Sequence, residues 1–349
     1  MSRAAALLRA VCAGTVATAC STAAVDPDDR FEAFRADALA RAAVFRAPFT
    51  PGALDAGARY VEQVTCRFLV TDATGTTPKF DCEMPDGTRV KVKYGSKPEI
   101  PGEAAATRLL TALGFGADHV ILASRVRCHG CPPLPFHTNR LAEGTYLSGL
   151  LQRTRNYDTY RDFEWAAVEY KMKGAAVSSG DRKGWAFFEL DAIDAARGGA
   201  SRAEVDALRL VSVFLAHWDN KPENQRLACM PPDEREGVCA DPLVMLQDVG
   251  ATFGPRKVDL EAWAHTPVWV NPAGCRVSMR QMPHGGGTFT DVEISEAGRR
   301  LLSERLSRLT RAQIERLFRE ARFPGDAGAW VEAFERKAAD IASRAGCTG

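Results

Sequence analysis

His217-Trp218-Asp219-Asn220-Lys221-Pro222-Glu223-Asn224 is the stretch on which the reading of this chain turns. Asp, Asn, Lys, Pro and Glu are all turn formers, so the octapeptide alone reads as a solvated connection. Its surroundings say more. Upstream, Ser201 to Glu204 is a capping box that starts a helix carrying Val205, Leu208, Val211, Ser212 and Leu215. Downstream, NQRLAC and LVMLQDV read as a pair of short strands, and the second runs into Asp248-Val249-Gly250. A capped helix, a polar turn, a strand and then Asp-x-Gly closing another strand would bring carboxylate and amide oxygens together from two distant stretches.

The octapeptide resembles the catalytic loop of protein kinases, commonly HRDLKPEN, at six of its eight positions. Asp248-Val249-Gly250 resembles the DFG of the same superfamily, with Val249 in place of the phenylalanine. The resemblance implies that Asp219 orients an acceptor hydroxyl and receives its proton. It implies that Lys221 balances charge on the transferring group and that Asn224 and Asp248 hold Mg²⁺ or Mn²⁺ against ATP. His217 is expected to be structural, bonding nearby backbone. Two motifs depart from the family: no GxGxxG precedes the strand lysine and no APE follows.

Working upstream, CRFLV, KFDCEM and TRVKVKY are β-prone runs separated by turn signals, a three-strand antiparallel meander. PEIPGEAAATRLLTALGFG then carries Ala106, Leu109, Leu110 and Leu113 on one helical stripe, and HVILASRV reads as a fourth strand. Lys91 and Lys93 share a strand face. The resemblance assigns the phosphate-binding role to Lys93, paired with Glu103 on the following helix, with Glu99 as the reserve choice. In the turn from Asp72 to Pro78, Thr76 and Thr77 are candidates to cover the phosphates, although a plain hairpin turn needs the same residues.

Further on, residues 145–173 read as helical and GWAFFEL (184–190) as a buried strand or extended segment. A Gly/Pro-rich stretch spans 271–290, and a capping box from Thr310 to Gln313 and the Asp326 cap open the last helices. The expected fold is α+β and protein-kinase-like in two lobes. A small antiparallel β lobe with one helix (61–140) precedes a larger helical lobe (141–349) holding the catalytic loop 217–224 and the metal-binding DVG 248–250.

The N-terminus pairs Arg3 and Arg9 with an uncharged stretch from Ala10 to Ala19 and then Cys20. This predicts a signal peptide over 1–19, a tether with a short helix over 20–60, and a lipid on Cys20 as the one membrane contact. If Cys12 leaves with the signal and Cys20 is lipidated, eight of the ten cysteines remain, enough for four disulfides. Their connectivity stays open, though Cys229 and Cys239 bracket a turn and are natural partners. Cys128-His-Gly-Cys131 has zinc-like spacing but no second CxxC, and a disulfide-closed turn is the preferred reading.

With 349 residues, 46% hydrophobic and 26% charged, the chain is neither disordered, collagenous nor a coiled coil. Its net charge of +1 provides no drive toward nucleic acid. The expected function is that of an exported atypical kinase, periplasmic or an outer-membrane lipoprotein, similar to the Golgi casein kinase and spore-coat kinase groups. It would transfer a phosphoryl group from ATP to a protein or a small hydroxylated acceptor. The alternatives are a kinase-fold binding lipoprotein without catalysis and an AMP transferase.

Overall fold

The computed structural model describes residues 27–55, 60–73, 75–231, 238–271, 274–283 and 287–347. The signal-peptide reading of 1–19 and the lipid on Cys20 fall outside the described residues. The mixed α+β class is borne out.

Helix α1 (Pro27–Ala40) is tied to the body of the molecule by Arg35, whose guanidinium meets Glu189 at 2.7 Å. Strand β1 (Tyr60–Leu69) starts a β-barrel continued by β2 (Lys79–Glu83) and β3 (Arg89–Lys93). Helix α2 (Glu99–Leu113) crosses over to β4 (His119–His129) and ends at Gly114, whose φ of 89° is the left-handed conformation that glycine adopts freely. Short helices α3 (Pro135–Ala142) and α4 (Leu147–Arg153) lead to β5 (Tyr160–Tyr170).

The expected meander plus one strand is thus corrected to a closed five-stranded barrel in the order β1-β2-β3-β5-β4, with β1 parallel to β4. The helix expected over 145–173 is also corrected, since only Leu147–Arg153 is helical and Tyr160–Tyr170 is a strand. The β-rich portion therefore runs on to residue 170, past the expected boundary at 140. Inside the barrel Phe68, Phe80, Val92, Val126 and Val168 pack around the Cys66–Cys82 disulfide, filling the interior with side chains.

Past β6 (Ala175–Ala176), residues Phe187–Ala192 form a 3₁₀ helix, not the extended segment expected. Glu189 explains this: its carboxylate accepts the Ala186 N–H at 2.7 Å and binds Arg35, fixing the turn. Trp185, Phe187 and Leu190 are buried there. Helix α5 (Arg202–Leu215) begins at the Ser201–Glu204 capping box and is buried along almost its whole length. Then follow β7 (Gln225–Cys229) and β8 (Pro242–Leu246), an antiparallel pair, and α6 (Leu260–His265). A two-residue ladder of β9 (Arg276–Val277) and β10 (Val292–Glu293) precedes α7 (Glu296–Ser307), α8 (Arg311–Glu320) and α9 (Ala327–Ser343).

A second, larger core joins α2 and α5 to these last helices, around Phe214, Phe253, Trp263, Phe318 and Trp330. Disulfides join Cys66 to Cys82, Cys128 to Cys131, Cys229 to Cys239 and Cys275 to Cys347. The four pairs account for all eight expected cysteines and suit an oxidising compartment. Among the described residues no helix is long and apolar enough to cross a membrane.

Candidate functional site

Strand β3 places Val90 and Val92 in the barrel core and sends Lys91 and Lys93 out of the opposite face. Lys93 reaches three carboxylates from three different elements. Its Nζ donates to Glu103 Oε1 on α2 at 2.6 Å and to Asp248 Oδ1 after β8 at 3.0 Å, and Glu169 Oε2 on β5 lies at 3.4 Å. Lys93 is 3% exposed and Glu103 1%.

Burial opposes the lysine's charge, at a cost of several kcal/mol. One opposite charge at about 3 Å returns about 5 kcal/mol at an effective dielectric of about 20, so three carboxylates prevail. The Lys93 ammonium is accordingly held well above the ordinary lysine range. Glu103 is pushed up by burial to about 7 against the pull of Lys93, and its Oε2 has no hydrogen-bond partner among the described residues.

The chain reaches the polar turn through Ala216, which caps α5 in the left-handed conformation (φ 55°). His217 is fully buried, and its Nε2 accepts from the Gln225 side-chain amide at 3.0 Å. The ring therefore bonds a side chain where a backbone partner was expected. Burial pushes its pKa down to about 4, so the imidazole is neutral. Asn220 donates to His217 O at 2.9 Å and accepts the N–H groups of Thr288 and Phe289 at 2.7 and 2.9 Å. The turn is thus pinned from below and from the side.

Asn224 donates its amide to Asp219 O at 2.6 Å, and Lys221 Nζ lies 3.7 Å from Asp219 Oδ1. Gln247 N donates to Asn224 O at 3.0 Å, so the β7–β8 pairing carries Asp248 alongside this turn. Asp248 takes a φ of 48°, a left-handed geometry that Asp tolerates better than most residues. Lys93 above all holds its carboxyl well below the usual range, against the effect of burial. Next to it, Gly250 lies under α2: a Cβ on Gly102 would come 2.9 Å from Gly250 O.

These groups line one cleft of about 260 Å³. Thr76, Thr77, Lys93, Asp219, Lys221, Asn224 and Asp248 all face it, while Glu103 is reached through Lys93. A larger cavity of about 430 Å³ lies along the barrel beside Arg67, Glu83, His129 and Tyr157. It contains none of the converging groups, and the smaller cleft is the better candidate because charges from five separate stretches meet there.

Asn224 Oδ1 and the second carboxylate oxygen of Asp248 are hard oxygen donors in number and kind suited to Mg²⁺, which keeps most of its shell for water and phosphate. Among the described residues no cluster of three or more His, Cys, Asp or Glu side chains forms a metal site, and Cys128 and Cys131 are joined as a disulfide.

Several residues in the cleft or directly behind it escaped sequence reasoning. Glu169 was hidden by reading β5 as helix. Lys257 meets Glu99, the reserve partner for Lys93, and so removes Glu99 from that role. Lys79 lines the cleft directly across the ladder from Lys93, a register that the hairpin spacing could have disclosed.

No protein-family model matches the sequence, and no curated protein matches it. Among solved structures, the chain is similar to the Helicobacter pylori proinflammatory kinase CtkA at 8% identity and a TM-score of 0.44, over 82% of this chain and 100% of that one.

Proposed function

We propose that this protein is a kinase-fold phosphotransferase that moves a phosphoryl group from ATP to a hydroxyl acceptor. In this reading the barrel with α2 is the smaller lobe, the helical portion is the larger, and the charged cleft lies between them. One observation carries the proposal: Lys93 is bonded at once to Glu103 and Asp248, in the wall of a cleft that also holds Asp219, Lys221 and Asn224. Three separate stretches of sequence, 93–103, 219–224 and 248, supply these groups, and a merely solvated turn has no need of that convergence.

The chemistry follows from the charges. Phosphoryl transfer asks mainly for positioned charge and in-line geometry. Lys93, oriented by Glu103, binds phosphate oxygens of the nucleotide. Asp219 holds the acceptor hydroxyl and takes its proton as the acceptor oxygen bonds to the terminal phosphorus. The bond from that phosphorus to the bridging oxygen breaks, and ADP leaves. Lys221, beside Asp219, offsets charge on the transferring group. A bound Mg²⁺ or Mn²⁺, held by Asn224 and Asp248, would supply further neutralisation of phosphate charge. Export to an oxidising space, as a periplasmic protein or a lipoprotein anchored at Cys20, completes the reading, and the four disulfides support it.

The test uses purified protein carrying Asp219→Ala or Asp248→Ala. Loss of the base at Asp219 should lower ATP turnover by about 10²–10⁴-fold while leaving nucleotide binding in place. Asp248→Ala should abolish the stabilisation by ATP with Mn²⁺, which at 100 times Kd is about 2.7 kcal/mol. Turnover unchanged in both variants overturns the proposal. Mass spectrometry of the modified acceptor distinguishes a phosphoryl from an adenylyl increment.

A further inference from the structure

We propose that Lys79 is a second phosphate-binding cation of this cleft, gripping the outer phosphates of a polyphosphate ligand from beneath the β1–β2 turn. The inference rests on the nucleotide reading above and assigns a subsite to a residue outside the motifs that support it.

Lys79 opens β2 and stands directly opposite Lys93 in the β2–β3 ladder. Directly opposed residues project from the same sheet face, so two ammonium groups point into the cleft side by side, an arrangement that is destabilising by itself. Every other lysine around the cleft has its counter-charge. Lys93 has Glu103, Asp248 and Glu169; Lys91 lies 3.7 Å from Glu169; Lys221 lies 3.7 Å from Asp219; Lys257 meets Glu99. Among the described residues Lys79 has no carboxylate within 4.0 Å. Burial, opposed by Asp248 and Glu169 and reinforced by Lys93 and Lys91, holds its ammonium below the ordinary lysine range.

The position of the charge says what it awaits. A Cβ built on Gly75 would lie 3.3 Å from Lys79 Nζ, so the ammonium sits immediately under the β1–β2 turn, beside Thr76 and Thr77. Val70 at the start of that turn is anchored from outside, its N–H donating to Gln152 Oε1 at 2.7 Å. A polyanion lying between Lys79 and Lys93 would relieve their mutual repulsion and place its oxygens under the turn. A strand side chain thereby does the work for which a glycine-rich loop uses backbone N–H groups.

Calorimetric titration of ATP, AMP and inorganic tripolyphosphate, with Mn²⁺ present, tests this on the unsubstituted protein, Lys79→Met and Lys79→Arg. A lost charge-assisted bond predicts that Lys79→Met weakens ATP and tripolyphosphate by about tenfold or more, leaves AMP within about twofold, and is largely rescued by Lys79→Arg. Unliganded Lys79→Met should unfold no earlier than the parent, because it removes an unpaired, partly buried charge. An unchanged preference for ATP over AMP in Lys79→Met overturns the inference and leaves the nucleotide reading standing. If the parent binds tripolyphosphate but no nucleotide, the nucleotide reading falls, and Lys79→Met then decides the anion subsite alone. Binding of none of the three ligands ends both.

Discussion

A neutral imidazole buried beneath the polar turn gives His217 a pH signature of its own. In the unfolded chain its pKa is near 6.5, and in the folded protein burial lowers it to about 4. The unfolded state therefore binds more protons between those values, and the contribution of His217 to stability, present above about pH 6.5, is lost as pH falls toward 4. The difference corresponds to about 3 kcal/mol at 1.36 kcal/mol per pH unit. Glu103 and Asp118, which burial raises to about 7 and about 6, contribute with the opposite sign, because the folded protein takes up their protons first. These two partly mask the histidine, and only a difference isolates it. His217→Gln keeps a side-chain acceptor for Gln225 and does not titrate. Chemical denaturation from pH 7.5 to 4 should show the parent losing about 3 kcal/mol relative to His217→Gln, whereas a constant offset would rule out a buried neutral ring. At this scale the motif residues were legible because each carries its chemistry in its type. Glu169 was not, since a glutamate in FEWAAVEY shows nothing of the two lysines that face it until the strand is known.

Elements place these residues, and the close contact between α2 and the Asp248–Gly250 turn is one such placement. Helix propensity alone says that Gly102→Ala should stabilise α2 by about 1 kcal/mol. The packing says otherwise, because the new Cβ would come 2.9 Å from Gly250 O and 3.1 Å from Val258 Cγ2. A backbone oxygen cannot step aside as a flexible side chain can, and overpacking of this kind costs about 1–3 kcal/mol. Gly102→Ala should therefore lower stability and, by moving Glu103 away from Asp248, weaken the nucleotide binding proposed above. Gly149 in α4, with nothing within 4 Å of its added Cβ, is the control in which propensity acts unopposed. Gly149→Ala should be neutral to stabilising, and an equal response of both variants in thermal unfolding would refute the close-approach argument.

The same competition between local and long-range forces explains which elements the sequence concealed. Residues 160–170 contain alanines and glutamates that favour helix, yet burial of Ala166, Ala167 and Val168 on both faces and closure of the barrel against β3 and β4 make them a strand. GWAFFEL looks like a strand by its aromatics, but Glu189 caps it into a 3₁₀ turn through a residue 154 positions away, Arg35. The helices with Ser201, Thr310 and Asp326 caps were legible because their signals are local.

At the scale of the whole molecule, the disulfides divide into three that close short stretches and one that spans the last three helices. Cys66–Cys82, Cys128–Cys131 and Cys229–Cys239 have sequence separations of 16, 3 and 10, whereas Cys275–Cys347 spans 72. On a loop-entropy account the long closure contributes about 4 kcal/mol, the two intermediate ones about 3 each and the shortest about 2. Packing competes with this order, because Cys66 and Cys82 are buried in the barrel while Cys347 only partly covers its core. Replacing the barrel pair by alanine would add a cavity cost of its own. The covalent term is separated by measuring each Cys→Ala pair against the parent with and without reductant, since reduction keeps the sulfur volume and removes only the link. The closure term so obtained should be largest for Cys275–Cys347 and smallest for Cys128–Cys131. If the barrel pair instead gives the largest closure term, the C-terminal helix is held by its packing on Trp263 and Phe318, and the long disulfide contributes little to keeping the helical portion folded.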